Sequence, residues 1–515
     1  MYLKVIIVSF LVLLLGALIG FLGFPMLFQE LVKRSINLKP GSESRQLWQQ
    51  LPFPMIFKIY VFNVSNPEEV EAGGKPQLEE VGPLVFEEWK DKYNLKDIEE
   101  EDAISFNMRN TFQLRTDLGL SGEQLITMPH PLLQFMAIAN LGQPNETQSA
   151  VALGLDLIFK PHSAFITATF MELFFVGIWV NCEQEHPAAQ AICQQFQAGA
   201  VPGAVAINAT HYKFSLMGAA SPCQRGRVAN SLLIFHLQGN HTNAGSFKVS
   251  RSRSKGSTVG RVLQFNGAAE LQVWQDSHSG SCNRLRGTDG TIFPPFMRPQ
   301  QGLWSYSAQL CRSLSPKWVE KTSYNQLPAQ RYELNFGSPR LEADLSCYCT
   351  SYPDDCPADG TMDLLRCNGS PLIASLPHFY QSEPKLLNQV EGLSPSAAKH
   401  ASTLIFEQLS GTVLSVYNRL QFSLKVSPVQ HVQVLAQLRS LALPLFWIEE
   451  SLQLDEKITA VLHKKIFSVL NKNNLFRWLA IGLGSLGCAL GGLFLHLRRN
   501  DVKRVGVEES VAAEQ

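Results

Sequence analysis

Residues Val5–Phe24 read VIIVSFLVLLLGALIGFLGF, and Trp478–Leu497 read WLAIGLGSLGCALGGLFLHL. Each run spans 20 residues with no Asp, Glu, Lys or Arg, about the length an α-helix needs to cross the ~30 Å hydrocarbon layer of a bilayer. They lie near opposite ends of 515 residues, so the reading they impose is a hairpin through a membrane with everything between them on one side. Five N-x-S/T sequons, at Asn63, Asn145, Asn208, Asn240 and Asn368, fall between the runs, and glycans are attached on the lumenal side. The middle is therefore expected outside the cytosol. Pro25 follows the first run and no small-x-small pair precedes it, which favours an uncleaved anchor over a removed signal peptide. Arg498, Arg499, Lys503 and Arg504 follow the second run and hold that end in the cytosol. Lys33 and Arg34, after the first run, argue the other way and are outweighed by the sequons.

Lys plus Arg number 44 and Asp plus Glu number 44. The chain thus carries no global field to attract nucleic acid, and partners are to be sought through shape and apolar surface. A composition 45% hydrophobic and 10% aromatic permits a sizeable core. Nine of ten cysteines lie between the runs, six of them clustered as Cys282, Cys311, Cys347, Cys349, Cys356 and Cys367. In an oxidising compartment that cluster reads as a disulfide framework. Zinc held by Cys347, Cys349, Cys356 and Cys367 is the rival, but the one-residue gap between the first two is unlike a zinc knuckle.

Met55–Val64 (MIFKIYVFNV) is β-branched and aromatic, as a strand buried on both faces is. Asn66 and Pro67 end it. Leu84–Trp89, Ile104–Leu114, Gly260–Phe265, Leu271–Trp274 and Leu420–Val426 are further strand candidates, giving a largely antiparallel sheet. Between Leu132 and Val180 the texture turns helical: Ser149–Phe159 and Ala164–Phe175 are read as two helices meeting at Lys160, Pro161 and His162. Glu79, Glu80, Glu87, Glu88 and the Glu99–Asp102 run are read as solvated turns, and Lys248, Arg251, Arg253 and Lys255 as an exposed basic hairpin.

Gly482–Gly487 (GLGSLG) spells a dinucleotide fingerprint but lies inside an apolar run with no preceding strand. Gly16, Gly20, Gly487 and Gly491 instead make small faces on which two helices, of one chain or of two, can approach. No G-x-S-x-G, H-E-x-x-H or P-loop occurs, and His130 and His378 sit beside prolines as packed loop residues rather than bases or ligands. The reading is of a protein that is not an enzyme and needs no metal or cofactor.

YVFNVSNPEEV (Tyr60–Val70), EEVGPLVFEEW (Glu79–Trp89), EEEDAISFNMRNTF (Glu99–Phe112), CNRLRGTDGTIFPPF (Cys282–Phe296), LCRSL (Leu310–Leu314) and SLPHFYQSEPKLLNQVEGLSP (Ser375–Pro395) together resemble the class B scavenger receptor family. Within it, FFVGIWVNC (Phe174–Cys182), Cys193, YKFSLMG (Tyr212–Gly218), GSPLIASLPHFY (Gly369–Tyr380) and LPLFWIEE (Leu443–Glu450) are most similar to the sensory neuron membrane proteins of insect chemosensory cells.

The resemblance implies an α+β, mainly β fold: an antiparallel β-barrel ectodomain with an internal hydrophobic tunnel and an apical helical bundle, flanked by two transmembrane helices. The expected boundaries are a cytoplasmic N-terminus over 1–4, a first span over 5–27, a lipid-binding ectodomain over 28–474 with its apical helical region at 132–200, a second span over 475–497 and a cytoplasmic tail over 498–515. It also implies a plasma-membrane receptor that captures a hydrophobic, lipid-like ligand such as a pheromone or fatty-acid derivative. The ligand would pass through the tunnel to the membrane or to an odorant receptor channel, with a pheromone-binding protein as a further partner. The alternative is a scavenger-type lipid or lipoprotein receptor, or a docking receptor whose apical helices bind protein. The family pairing joins Cys282 to Cys347, Cys311 to Cys367 and Cys349 to Cys356, with Cys182 and Cys193 closing a short loop and Cys223 left single. Cys488 lies ten residues inside Arg498, about 15 Å deep at helical rise, too deep for a palmitate acceptor. Ligand entry is placed at the Pro turn: the Lys160 charge orients a polar head while the apolar stretch with Phe159, Phe165 and Phe170 receives the tail, and His162 adds pH dependence; the alternative is that Lys160 is a solvated turn residue.

Overall fold

The computed structural model describes residues 2–201, 203–217, 243–252, 258–274 and 282–513. They form two compact units: Met1–Ser35 with Asn325–Leu327 and Leu454–Gln515, and Ile36–Tyr324 with Pro328–Gln453. In the first unit, helix Tyr2–Leu18 continues through a π turn, Ile19–Gly23, into helix Phe24–Ser35. Glu456–Leu462 likewise runs through the π turn His463–Phe467 into helix Ser468–Ala513. Leu3–Ser35 and Glu456–Asn500 are long and apolar enough to cross a membrane, and Leu and Phe stand exposed along both. Tyr2–Leu18 packs along Ser468–Ala513, and glycines make that approach possible. A Cβ placed on Gly16 would lie 2.5 Å from the Ala480 Cβ, and one on Gly484 2.8 Å from the Ser9 carbonyl oxygen. The small faces therefore join the two helices of one chain, as small residues do where side chains have no water to escape from.

The second unit is built on a 12-stranded sheet. Its strands are β1 (Met55–Val64), β2 (Leu78–Ile98), β3 (Ala103–Leu114), β9 (Asn243–Ser250), β10 (Val262–Phe265), β13 (Lys317–Tyr324), β14 (Leu327–Glu333), β15 (Thr361–Asp363), β16 (Leu372–Ser375), β17 (Thr403–Glu407), β18 (Thr412–Val426) and β19 (Leu441–Gln453). Their order is β10-β9-β3-β2-β1-β19-β18-β17-β14-β13, with β16 also pairing β18 and carrying β15. The pairing is antiparallel, as in β1 against β19 (Tyr60 opposite Trp447) and against β2 (Phe57 opposite Phe86). Among the described residues the path is open, with β10 and β13 as its ends, so the sheet does not close into the expected barrel. The end strand β13 carries Lys317, Glu320 and Lys321 on an exposed surface, which discourages pairing with another chain. Smaller sheets join β4 (Leu125–Pro129) to β5 (Phe165–Thr169), β6 (Ile178–Asn181) to β8 (His211–Phe214) and β7 (Ala204–Ala206), and β11 (Ser305–Ser307) to β12 (Arg312–Leu314).

β1 keeps the bounds read from sequence, with Ile59, Val61, Phe62 and Val64 almost fully buried. Leu271–Trp274 is not a strand: the Asn283 side chain accepts the N–H groups of Val273 and Trp274, taking the hydrogen bonds a neighbouring strand would need. Glu79, Glu80, Glu87 and Glu88 lie along β2 rather than in turns, and Glu88 is 2% exposed. Arg251 is not part of an exposed hairpin. It is 1% exposed and pairs with Asp97 at 2.8 Å and Glu99 at 2.7 Å, because the β2–β3 turn brings those carboxylates to it. Arg253 and Lys255 lie outside the described residues.

Candidate functional site

The segment read as the ligand entrance begins at β4. Helix Pro131–Ala139 follows, with the His130 Nδ1 accepting the Leu133 N–H and Pro131 at its first turn, where a missing N–H costs nothing. Helix Asn145–Phe159 comes next and stops at Lys160, whose φ of 45° puts it in the left-handed region while its N–H reaches the Asp156 carbonyl at 2.8 Å. The turn beyond is held by Glu71: its carboxylate accepts the Ser163 hydroxyl and, at 2.7 Å, the Ala164 N–H. The chain then departs from the expected second helix. Phe165–Thr169 is β5, antiparallel to β4 with Phe165 opposite Pro129, and a π turn occupies Glu172–Val176. The alternating, β-branched FITAT sequence suits a strand, and the strand partner it needs lies some forty positions earlier. Helix Pro187–Gln197 completes the 132–200 region, so helices and strands alternate there instead of forming a bundle of helices alone.

This geometry separates the five predicted residues. Lys160 and His162 are exposed. Phe159 is half-buried and packs edge-on against His130 at 5.2 Å; burial pushes that imidazole down to about 4. Phe170 is fully buried against Phe174 at 4.8 Å, inside the core rather than at an entrance, because the strand carries it inward. Phe165 alone of the five borders an enclosed space of about 10 Å³, room for roughly one water. Apolar Leu441 and Leu443 of β19 also line it, as do Gln134 and the exposed Arg439. Gln134 is 1% exposed and its Oε1 has no hydrogen-bond partner among the described residues. Such a buried acceptor calls for a donor. Sequence reasoning missed Gln134 and Arg439, although a lone Gln within PLLQFMA is a legible signal of a polar group facing a core.

Beyond this space the interior is occupied by phenylalanines. Phe57 and Phe112 lie 5.0 Å apart, Phe86 and Phe175 4.8 Å, Phe174 and Phe446 4.9 Å, and Phe446 and Phe422 5.1 Å.

Glu80, His378 and His400 bring their donor atoms within 4.8 Å of one another. Each imidazole Nδ1 accepts a backbone N–H, from Ser394 and Ser396 respectively. The proton of each neutral ring therefore sits on Nε2, and that nitrogen has no lone pair to give a cation. His378 donates it to the Glu80 carboxylate at 2.6 Å, and the Trp447 indole donates at 2.8 Å. Burial raises the Glu80 pKa, but these two hydrogen bonds together with the neighbouring His378 and His400 outweigh it and hold the carboxyl below its ordinary value. His400 stacks on His378 at 4.1 Å; burial, then the neighbouring His378, lowers it to about 4. The group is a hydrogen-bond node joining β2, β19 and the 377–400 loops, and its donor set does not suit a metal.

Disulfides join Cys182 to Cys193, Cys282 to Cys347, Cys311 to Cys367 and Cys349 to Cys356, the pairs that the resemblance implies. Cys223 lies outside the described residues, as does Asn240. Of the other sequons, Asn145 and Asn208 are exposed, Asn63 is half-buried and Asn368 is 9% exposed. The Cys488 thiol faces the Ile6 carbonyl at 3.8 Å, on the opposing helix.

Residues 7–495 match the CD36 family. Sensory neuron membrane protein 1 of Anopheles gambiae is 38% identical over 496 residues, 95% of this chain and 86% of the relative. The protein of the same name from Aedes aegypti is 38% identical over 470 residues, 90% and 82% of the two chains. That from Manduca sexta is 33% identical over 500 residues, 96% and 91%. With the antiparallel sheet, the four bridges and the two apolar terminal helices in place, this chain belongs to the CD36 family of membrane receptors.

Proposed function

We propose that this protein is a membrane-tethered receptor, and not an enzyme, that captures a lipid-like hydrophobic ligand on its glycosylated side and delivers it to the membrane or to an adjoining receptor channel. Both termini lie in the cytosol in this reading, with 5–27 and 475–497 as the spans. The observation that carries it is the space bordered by Phe165, Leu441 and Leu443, where an unmet buried acceptor on Gln134 meets an apolar wall and Arg439 stands at the edge. A molecule with one polar end and a long tail has what these groups lack: a hydroxyl for Gln134, or an anionic head for Arg439. Burial of its tail supplies about 25 cal/mol per Å². A space of about 10 Å³ must widen to admit more than the head of such a molecule.

Binding of a long-chain fatty acid and of the acetate, alcohol and aldehyde of equal length to the full-length protein in nanodiscs tests this. Arg439→Glu is expected to weaken the fatty acid by about five-fold, the scale of an exposed ion pair, and to leave the acetate unchanged; Lys160→Glu should have the smaller effect. Failure of every member of the series to bind would overturn the reading. Tags at both termini should be reached by antibody only after permeabilisation.

A second reading, protein docking, is favoured by one surface. Trp179, Val205 and Ile207 are 58%, 49% and 51% exposed, and Trp179 and Val205 flank Lys213 on one row of the β6-β8-β7 sheet.

A further inference from the structure

A cleft of about 320 Å³ opens between the residues preceding β10 and the 285–304 segment, apart from the Phe165 space and sharing no residue with it. Its volume falls in the range of small-molecule sites. Arg261 and Arg286 line it, and none of its lining residues is acidic. Arg286 lies over the Trp304 ring at 5.0 Å, which fixes the plane of its guanidinium. Neither arginine has a carboxylate partner among the described residues. Asp289, three residues along from Arg286, is committed elsewhere: it takes the Trp48 indole N–H at 3.2 Å and faces Lys92 at 3.6 Å. The rest of the wall is apolar, with Leu285, Phe293 and Met297. Gly287 and Gly302 have φ of 77° and 68°, and a side chain on Gly302 would meet the Ser315 hydroxyl at 2.6 Å, so the backbone that shapes the cleft depends on glycine there.

We infer that this cleft is a second ligand site, which binds a phosphoryl anion carried on an apolar body. Two uncommitted guanidiniums with no acid in the wall select an anion, and their forked donors match a phosphoryl group better than a point charge does. The apolar wall selects against the bare ion. The charged end is held between Arg261 and the stacked Arg286, and the hydrocarbon lies along Phe293 and Met297. This site is separate from the ligand path proposed above and does not depend on it.

The test uses the full-length protein in phosphatidylcholine nanodiscs, with dodecyl phosphate, dodecanol and inorganic phosphate as probes. Dodecyl phosphate is expected to bind, and Arg286→Gln to weaken it by about ten-fold or more, as loss of a charge-assisted pair does. Arg261 is exposed, so Arg261→Gln folds normally and should weaken the same probe even if the Arg286 variant is retained in the secretory pathway. Each comparison is made in an Arg439→Glu background, which removes the cation of the Phe165 space, so that the loss read is that of the cleft. Inorganic phosphate binding as tightly as dodecyl phosphate would reduce the cleft to an ion site and overturn the proposal. So would dodecanol losing as much affinity on Arg261→Gln as dodecyl phosphate does, or an Arg261 variant with unaltered affinity for dodecyl phosphate.

Discussion

Removing the disulfides in pairs should expose a hierarchy set by loop length. The Cys282–Cys347 and Cys311–Cys367 bridges close 65 and 56 residues, whereas Cys182–Cys193 and Cys349–Cys356 close 11 and 7. In the chain-entropy form, the two long bridges each contribute about 4 kcal/mol by restricting the unfolded chain, and the two short ones about 2.5 to 3 kcal/mol. The native surroundings widen the gap. The Cys311 carbonyl accepts the buried Trp274 indole N–H at 2.7 Å, and Trp274 packs edge-on against Tyr348 at 4.9 Å, next to Cys347. Opening the Cys311 bridge therefore loosens that wall as well as the chain. The comparison is Cys311→Ser with Cys367→Ser against Cys349→Ser with Cys356→Ser, each made as a pair so that no lone thiol is left. Surface biotinylation and glycan maturation measure the folded fraction that leaves the endoplasmic reticulum. A difference of about 1.4 kcal/mol is a ten-fold difference in the unfolded population, so the long-bridge variant should be largely retained while a substantial part of the short-bridge variant reaches the surface. Equal surface levels, or the short-bridge variant faring worse, would refute the loop-length reasoning.

Acidification should destabilise the second unit. His130 and His400 have folded pKa values of about 4 against an ordinary 6.5, so their stabilisation is present above pH 6.5 and lost as pH falls toward 4, by about 3 kcal/mol for His130 at full protonation and by less for His400, where solvent screens the charge. Glu80, held below its ordinary value, loses its contribution in the same direction as it protonates. Proteolysis of the full-length protein across that range is the measurement, and resistance that stays flat from pH 7 to about pH 4 would contradict it. In the membrane unit, a Cβ on Gly487 would lie 2.9 Å from the Ser9 Cβ. Ser9→Cys with Gly487→Cys should therefore cross-link within one chain under mild oxidation, and a product of twice the mass would assign the small faces to dimerisation instead.

The sequence by itself determined what local pattern and covalent chemistry can determine. Two uncharged runs of bilayer length, a β-branched run over Met55–Val64 and a set of spaced cysteines and motifs were enough for the two terminal helices, the antiparallel sheet and the family. Each of these signals is carried by residues close together in the chain, or by a pattern repeated across the family. What only the tertiary structure decided depends on residues brought together from far apart. FITAT reads as part of a helix until β4 supplies its hydrogen-bonding edge, and Phe170 then turns from an entrance to the core. Arg251 reads as a solvated charge until Asp97 and Glu99 fold over it, and Glu80 as a turn residue until His378 and Trp447 arrive from some 300 and 367 positions away. The two cations on which the proposed sites rest, Arg439 and Arg286, each line their space beside residues distant in the chain. A charge beside an apolar wall becomes a site only when the wall is assembled, and backbone pairing between distant strands is what assembles it.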